Sequence, residues 1–369
     1  MKTLLICLAL LLLPLSASAQ EVTTSAKACV IIDQATGRVL LQHNADAPLP
    51  MASTTKVMTA LLALEQGDLT APVTCSRNAF GVPGTSIYLS QGETLTLEQM
   101  LYGLMLASGN DAAVAIAEHI GGSVEDFCRM MTTRAAELGC TDTVFLTPHG
   151  LPCEGHHTTA RGLALIAREA MTHETFCSIV STQRGKIPWE GRDYDRVLNN
   201  KNKLLSTYEG CTGIKTGYTK AAGRCLVFGA ERDGMSIIGV VLNCYDWFNE
   251  AARLMDMAFA QYESFTLMAE GECLRTLPVE VADGAEVGAI LTADLTGIVP
   301  KNTFPQIEID LPQSLEAPVQ AGDILGEVRM LHGDTVLYAV PLAAANDVAR
   351  DDFASRWKTF VSGWPLLAR

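Results

Sequence analysis

The chain has no Cys-x-x-Cys pair and no His/Cys cluster at zinc-site spacing, although it carries 11 cysteines and 7 histidines. Structural zinc sites of the usual spacing are therefore excluded. The adjacent pair His156-His157 has no partnering cysteine or acidic cluster and reads as a loop element. No metal and no organic cofactor are implied. Positive charge is scarce, with 27 Lys and Arg against 41 Asp and Glu. A chain this acidic is repelled by phosphate backbones, which argues against nucleic acid as a partner. It is repelled by anionic lipid as well, so any membrane contact has to be local and apolar. Internal repeats and low-complexity segments are missing too. Charged residues make up 18% and hydrophobic residues 48%, which excludes disorder and allows a sizeable core.

Long apolar runs are also missing, except at the start. Leu4 to Leu15 is apolar but too short to span a bilayer, which takes roughly 20 residues. Lys2 precedes the run and Ser16-Ala17-Ser18-Ala19 follows it, the three-part pattern of an export signal over residues 1–19. Cleavage would leave a chain starting at Gln20 or Glu21, with 26 basic and 41 acidic residues and a net charge of −15. Cys7 would leave with the signal. Export permits disulfides among the remaining ten cysteines. Cys29, Cys225 and Cys244 sit in apolar runs and read as buried thiols. Cys140 and Cys153 flank a loop, and whether they bridge stays open.

Local signals divide the chain into parts. Ala28 to Asp33 and Arg38 to Gln42 read as a hairpin around Ala35-Thr36-Gly37. A helix is predicted from Thr54 to Gln66, stopped by Gly67. Thr96-Leu97-Glu98-Gln99 is a capping box that opens a helix with Leu97, Leu101, Leu104 and Met105 on one stripe. Ser108-Gly109-Asn110 interrupts it before a helix from Asp111 to Ile120. Another runs from Val124 to Leu138 and stops at Gly139. Strands follow at Arg224–Ala230 and Ser236–Leu242, joined through Asp233-Gly234, and then a helix from Phe248 to Gln261. Strands at both ends with helices between predict an α+β fold, an antiparallel sheet flanked by helices, over residues 20–265. Residues 266–345 read as a small β-sandwich domain with a hairpin around His332-Gly333-Asp334. In the tail, Phe353, Trp357, Phe360 and Trp364 fall on one helical face. This predicts an amphipathic membrane-anchor helix over residues 346–369, acidic early and basic late.

Three short motifs carry chemistry. In Ser53-Thr54-Thr55-Lys56 the spacing of three puts a hydroxyl and an amine on one helical face. Serine needs an adjacent base to become a nucleophile. Lysine serves as one only when burial and neighbours lower its pKa. Ser108-Gly109-Asn110 lies in a helix break, where serine can relay a proton and asparagine can grip a peptide carbonyl. Lys215-Thr216-Gly217, before Tyr218, can bind a carboxylate by charge and hydroxyl, with Gly217 admitting a substrate backbone. Read singly, these are a capped surface helix, a helix–helix turn and a strand edge. Together and in this order they form the signature of serine penicillin-recognising enzymes.

The chain resembles the low-molecular-mass penicillin-binding proteins of the D-alanyl-D-alanine carboxypeptidase family over nearly its whole length. Pro50 to Lys56 resembles the nucleophile segment, and Leu106 to Ala113 the second motif. Thr147–Leu151, His156–Ala160, Asn202–Leu205 and Gly213–Thr219 resemble further family segments, and Ala317 to Gly326 resembles its C-terminal β domain. The resemblance implies that Ser53 attacks the carbonyl between two D-alanines of a peptidoglycan stem peptide and that Lys56 takes its proton. Ser108 passes a proton to the leaving D-alanine, Asn110 holds the peptide, and Lys215 and Thr216 bind the terminal carboxylate. The Ser53 and Tyr218 amides form the oxyanion hole, β-lactam antibiotics act as covalent inhibitors, and many members anchor by a C-terminal amphipathic helix at the outer face of the cytoplasmic membrane. Two departures stand out. Gly162 occupies the place of a usual Asp three residues after Thr159, which implies a weaker helix start. The stretch Asn243 to Glu250 lacks the arginine that often helps bind the carboxylate, leaving Arg253 as the nearest candidate. D,D-endopeptidase and β-lactamase activities, and a non-catalytic wall-binding role, are the competing readings.

Overall fold

The computed structural model describes residues 20–280, 282, 284–350 and 357. The predicted export signal lies outside them. One compact unit ends at Gln261 and a second begins at Tyr262.

The first unit starts with β1 (Gln20–Glu21), β2 (Ala28–Asp33) and β3 (Val39–His43), followed by a short 3-10 turn (Ala52–Thr55) and α1 (Lys56–Gln66). Two short strands, β4 (Pro72–Thr74) and β5 (Thr94–Thr96), precede α2 (Leu97–Met105), α3 (Asn110–Gly121), α4 (Val124–Glu137), α5 (Ala160–Ala170) and α6 (Glu174–Ser181). A hairpin of β6 (Arg184–Ile187) and β7 (Arg196–Asn199) and the turn α7 (Leu204–Thr207) lead to β8 (Cys211–Thr219), β9 (Gly223–Arg232), β10 (Met235–Leu242) and α8 (Trp247–Gln261). The sheet order is β1-β3-β2-β10-β9-β8, antiparallel except for the β1–β3 pair. All six residues of β2 are buried, as are most of β9 and β10. Covered on both faces, these strands read as continuous apolar runs, not as alternating ones. Strand β8 is left at the edge, with one side free to face a ligand.

The predicted capping box forms in full: Gln99 N–H donates to Thr96 Oγ1 (3.2 Å) and Thr96 N–H to Gln99 Oε1 (2.9 Å). Helix α5 begins at Thr159, whose Oγ1 accepts from Gly162 N–H at 2.9 Å. A Cβ at Gly162 would lie 3.0 Å from Thr143 Oγ1 and 3.1 Å from Thr159 Oγ1. A side chain at this position would therefore press on the threonine hydroxyls around it. Helix α1 is buried from Lys56 to Ala63, a core helix and not a surface one. It begins at Lys56, two residues after the predicted start at Thr54, and Ser53 lies in the preceding 3-10 turn.

The ten cysteines from Cys29 onward are free thiols, with Cys29, Cys225 and Cys244 buried. Cys140 and Cys153 do not bridge: Cys140 is buried with its thiol donating to the Gly162 carbonyl at 3.2 Å, and Cys153 is exposed.

In the second unit, β11 (Tyr262–Met268) pairs with β14 (Leu295–Pro300). Strands β12 (Cys273–Glu280), β13 (Glu286–Leu291), β15 (Gln306–Asp310), β16 (Leu315–Glu316), β17 (Ile324–His332) and β18 (Thr335–Ala344) form a six-stranded sheet, order β15-β17-β18-β13-β12-β16. Leu295 and Val299 share a core with Val328, Met330, Leu337 and Val340, with Phe265 and Leu267 packed against it. The unit begins at β11, four residues before the predicted boundary, because the half-buried Tyr262–Met268 run shows no change in composition at its start.

The predicted tail helix needs correction at its beginning. Residues 345–350 are not helical. Val348 pairs with Val319 through two hydrogen bonds (2.9 and 2.8 Å), and its side chain joins a small core with Val279, Val287 and Ala344. Burying a valine there outweighs extending the helix. The rest of that helix lies outside the described residues, apart from Trp357. A chain ending after Arg350 should keep this bridge, and one ending after Ala345 should lose it. Loss of one buried valine and two hydrogen bonds costs about 2 kcal/mol. The shorter chain should melt several degrees lower in a thermal scan; equal melting would show the bridge to be idle.

Candidate active site

The nucleophile turn is held under strain. Ala52, next to Ser53, has φ +50°, and Ser108 of the second motif has φ +64°. Left-handed backbone is uncommon outside glycine and concentrates where function needs it. The Ala52 carbonyl accepts from Thr55 Oγ1 at 2.8 Å, and Thr55 Oγ1 lies 2.9 Å from His156 Nε2. His156 Nδ1 accepts from Leu146 N–H at 3.0 Å, so Nε2 carries the proton and donates to Thr55. Burial pushes the His156 pKa down to about 4, so the ring stays neutral. Gly150 packs on this turn: a Cβ there would fall 1.8 Å from the Ala52 carbonyl oxygen.

Lys56 is fully buried. Its Nζ lies 3.0 Å from Ser53 Oγ, 2.7 Å from Asn110 Oδ1 and 2.8 Å from the His149 carbonyl. Burial lowers its pKa well below the ordinary lysine value, with the charges of Lys215 and Lys201 adding to the effect and Asp111 opposing it. In its neutral form the amine has two N–H bonds and one lone pair. Asn110 and His149 accept the two N–H bonds, which leaves the lone pair for the Ser53 hydroxyl. This is the geometry of a general base.

The second motif is stitched to the loop before it. Asn110 Nδ2 donates to the Pro83 carbonyl at 2.7 Å, and Asn110 N–H to the Thr85 carbonyl at 2.7 Å. Thr85 Oγ1 donates to the Ser108 carbonyl at 2.6 Å. Asn110 therefore orients Lys56 and the loop as well as facing the cleft. Asp111, buried beside it, accepts from Ser86 Oγ at 2.6 Å and from the Ile87 and Leu89 amides at 3.1 and 3.1 Å.

Ser53, Ser108, Asn110, Thr216, Gly217 and Tyr218 line one cleft of about 370 Å³. Lys56 and Lys215 lie buried beneath it. Lys215 Nζ donates to the Thr216 carbonyl at 3.0 Å, and burial, aided by the charge of Lys201, lowers its pKa to about 7. Gly217 on the edge strand β8 meets the nucleophile turn so closely that a Cβ would lie 2.9 Å from both the Ser53 and Thr54 amide nitrogens. Sequence reasoning missed Lys201 and Trp247 as cleft residues. Lys201 was findable as a cation just before the Asn202–Leu205 segment. Arg253 does not take the place of the missing arginine. It is held by Glu250 (3.1 and 2.6 Å) and by the Thr23 carbonyl (2.9 Å), and it does not line the cleft. Among the described residues no group of His, Cys, Asp and Glu is placed to hold a metal.

A serine with a buried lysine base, beside an edge strand that can present a carboxylate-ended peptide, defines a serine acyl-transfer enzyme. Comparison with known proteins narrows this. Residues 15–245 match the D-alanyl-D-alanine carboxypeptidase family model, and residues 262–350 match the C-terminal domain of penicillin-binding protein 5. The chain is 33% identical to D-alanyl-D-alanine carboxypeptidase DacF of Bacillus subtilis (strain 168), over 99% of this chain and 98% of that one. It is 31% identical to D-alanyl-D-alanine carboxypeptidase DacC of Escherichia coli (strain K12), over 92% and 88%. The solved penicillin binding protein 5 from Haemophilus influenzae is 27% identical with a TM-score of 0.74, covering 90% of this chain and 100% of that one. The chain belongs to the D-alanyl-D-alanine carboxypeptidase family of serine hydrolases, with the penicillin-recognising α+β fold and a C-terminal β domain.

The Gly217 contact gives a sharp test. In Gly217→Ala the new methyl must push β8 away from backbone atoms that cannot yield. Misplacement on the order of 1 Å costs about 100-fold in rate. Acylation by a fluorescent penicillin should slow by about that factor with little change in melting temperature; unchanged acylation would show that the approach of β8 to Ser53 is unimportant.

Proposed function

We propose that this protein removes the terminal D-alanine from peptidoglycan stem pentapeptides through an acyl-enzyme on Ser53, and that penicillin acylates the same serine. The observation that carries the reading is the 3.0 Å approach of Lys56 Nζ to Ser53 Oγ, with the other two Nζ contacts on Asn110 and His149. Ser53 Oγ attacks the penultimate D-alanine carbonyl as its proton passes to Lys56. The developing oxyanion is held by the Ser53 and Tyr218 amides, each such donor being worth about 3 kcal/mol in the transition state. The Ser108 hydroxyl gives its proton to the departing D-alanine amine and takes the Lys56 proton in its place, which leaves Lys56 neutral again. Water then attacks the ester, its proton going to Lys56 and from there to the departing Ser53 Oγ, which regenerates both groups. Lys215, Thr216 and Gly217 hold the terminal carboxylate end of the substrate. Asn110 steadies the peptide with the part of its amide that Lys56 and Pro83 leave free. Release by a D,D-endopeptidase cut uses the same chemistry, and analysis of muropeptide products separates the two.

The export pattern over residues 1–19 supports an extracytoplasmic location. The aromatic tail, with Trp357 exposed, supports peripheral attachment at the outer face of the cytoplasmic membrane. No helix among the described residues is long and apolar enough to cross a membrane.

Ser53→Ala should abolish both penicillin labelling and D-alanine release; acylation persisting at another serine would overturn the assignment. Lys56→Arg keeps the charge but holds its proton at a pKa above about 12, so acylation should fall by about 10³-fold. Wild-type acylation by that variant would remove Lys56 as the base. Lys215 is charged below its pKa of about 7 and neutral above it. The kcat/KM for a carboxylate-ended peptide should therefore decline as pH rises through that value, while an ester substrate lacking the carboxylate should show no such decline. Identical alkaline limbs for the two substrates would dissociate Lys215 from carboxylate binding.

A further inference from the structure

Of the described residues that line the cleft, only Lys201 carries a charge, and none is Asp or Glu. Lys56 and Lys215 are buried beneath the cleft, whereas Lys201 is exposed. Its place in the chain is fixed from both sides. Asn200 Nδ2 donates to the Val180 and Thr182 carbonyls, both at 3.1 Å, and Asn200 N–H donates to the Gln183 carbonyl at 2.9 Å. Asn200 Oδ1 accepts from Asn202 N–H at 2.9 Å, and the buried Asn202 accepts from Leu204 N–H through Oδ1 at 3.1 Å. The two asparagines tie the turn between β7 and α7 to the end of α6, and they leave Lys201 between them at the cleft wall. Among the described residues its ammonium makes no hydrogen bond and no ion pair.

A cation without a partner, in a cleft without an acidic residue, is matched by an anion that comes from outside. The rest of this acidic chain repels such a ligand, so the attraction has to be local. The two buried amines supply it poorly. Lys56 has to be neutral to act as a base, and Lys215 keeps only part of its charge near its pKa of about 7. Lys201 is the least buried of the three, so desolvation weighs least on its charged form. Its charge acts on both Lys215 and Lys56, which places the ammonium within charge–charge reach of the Lys215–Thr216 end of the cleft. The stretch from Asn243 to Glu250 offers no cation and brings Trp247 to the cleft in its place. The face of an indole ring is negative and does not attract a carboxylate.

We propose that Lys201 receives the terminal carboxylate of the ligand, takes over the task of the missing arginine, and thereby sets the preference of the cleft for carboxylate-ended ligands. Lys201 supplies the standing charge, Thr216 a hydroxyl, and Lys215 its own charge at lower pH. The proposal rests on the peptidase reading above.

The test uses the full chain with Lys201→Met and Lys201→Arg and two matched pairs of ligands. One pair is a D-alanyl-D-alanine peptide and its carboxamide-capped form; the other is penicillin and its carboxylate methyl ester. The quantity read is the preference for carboxylate over capped ligand, as a ratio of kcat/KM values for the peptides and of acylation rates for the penicillins. Any change in Lys56 affects both members of a pair and cancels. In Lys201→Met both ratios should fall about tenfold, the loss expected for one charge-assisted hydrogen bond. Lys201→Arg keeps the charge and should keep both ratios near the wild-type values. Unchanged ratios in Lys201→Met would overturn the proposal, whether the two rates of a pair stay at wild-type values or fall together. So would a loss in Lys201→Arg as large as that in Lys201→Met. Were the wild-type protein to cleave neither peptide, the peptidase reading would fail while the penicillin pair still decided the role of Lys201.

Discussion

The site depends on burying one lysine amine without a carboxylate partner. An isolated charged ammonium is costly inside a protein, and the usual escape is a lowered pKa. Lys56 takes that escape. Among the described residues no hydrogen bond joins it to a carboxylate, its contacts are neutral oxygens, and the charges of Lys215 and Lys201 act on it more strongly than the opposing charge of Asp111. Each neighbour has a further duty. Asn110 orients the amine with one end of its amide and the preceding loop with the other. The segment that supplies the His149 carbonyl also receives Thr59 Oγ1 at the Pro148 carbonyl, 2.6 Å away, which pins it along α1. Moving any of these would shift the amine away from Ser53 Oγ, which now lies 3.0 Å from it.

Positioning is distributed over buried polar side chains distant in sequence. Asp111 gathers the Ile87 and Leu89 amides and the Ser86 hydroxyl under the second motif, the Arg196–Glu93 pair closes the far side of the same loop, and neutral His156 holds Thr55 on the nucleophile turn. Breaking a buried pair such as Arg196–Glu93 by deleting one partner typically costs about 3–5 kcal/mol, since the other charge is left alone. The strained Ala52 and Ser108 backbones persist because these surroundings over-determine them.

Much of this was legible in the sequence, for physical reasons. Ser53, Lys56, Ser108, Asn110, Lys215 and Thr216 lie in short motifs whose residue types state their chemistry, and the structure gathers them around one cleft. Strands β2, β9 and β10 were visible as apolar runs, and α2 by its capping box. Other features were hidden because they depend on tertiary partners. The role of Asn110 toward Lys56 spans 54 residues, and that of Arg196 toward Glu93 spans 103. Helix α6 is short, and its buried Phe176, Ile179 and Val180 serve a strand equally well. Arg253 looked available in sequence because nothing there reveals that Glu250 and the Thr23 carbonyl already hold it. The tail pattern, read as helix from 346, missed that Val348 is worth more as a strand partner of Val319.

The central claim is that Lys56 is a neutral amine in the resting protein. It is tested most directly by ¹⁵N NMR of the lysine side-chain nitrogens, with the Lys56 signal assigned by its loss in Lys56→Arg. The account predicts that the Lys56 nitrogen reports a neutral amine at pH 8 and gains its proton only at lower pH. An ammonium signal that persists to pH 10 would contradict it.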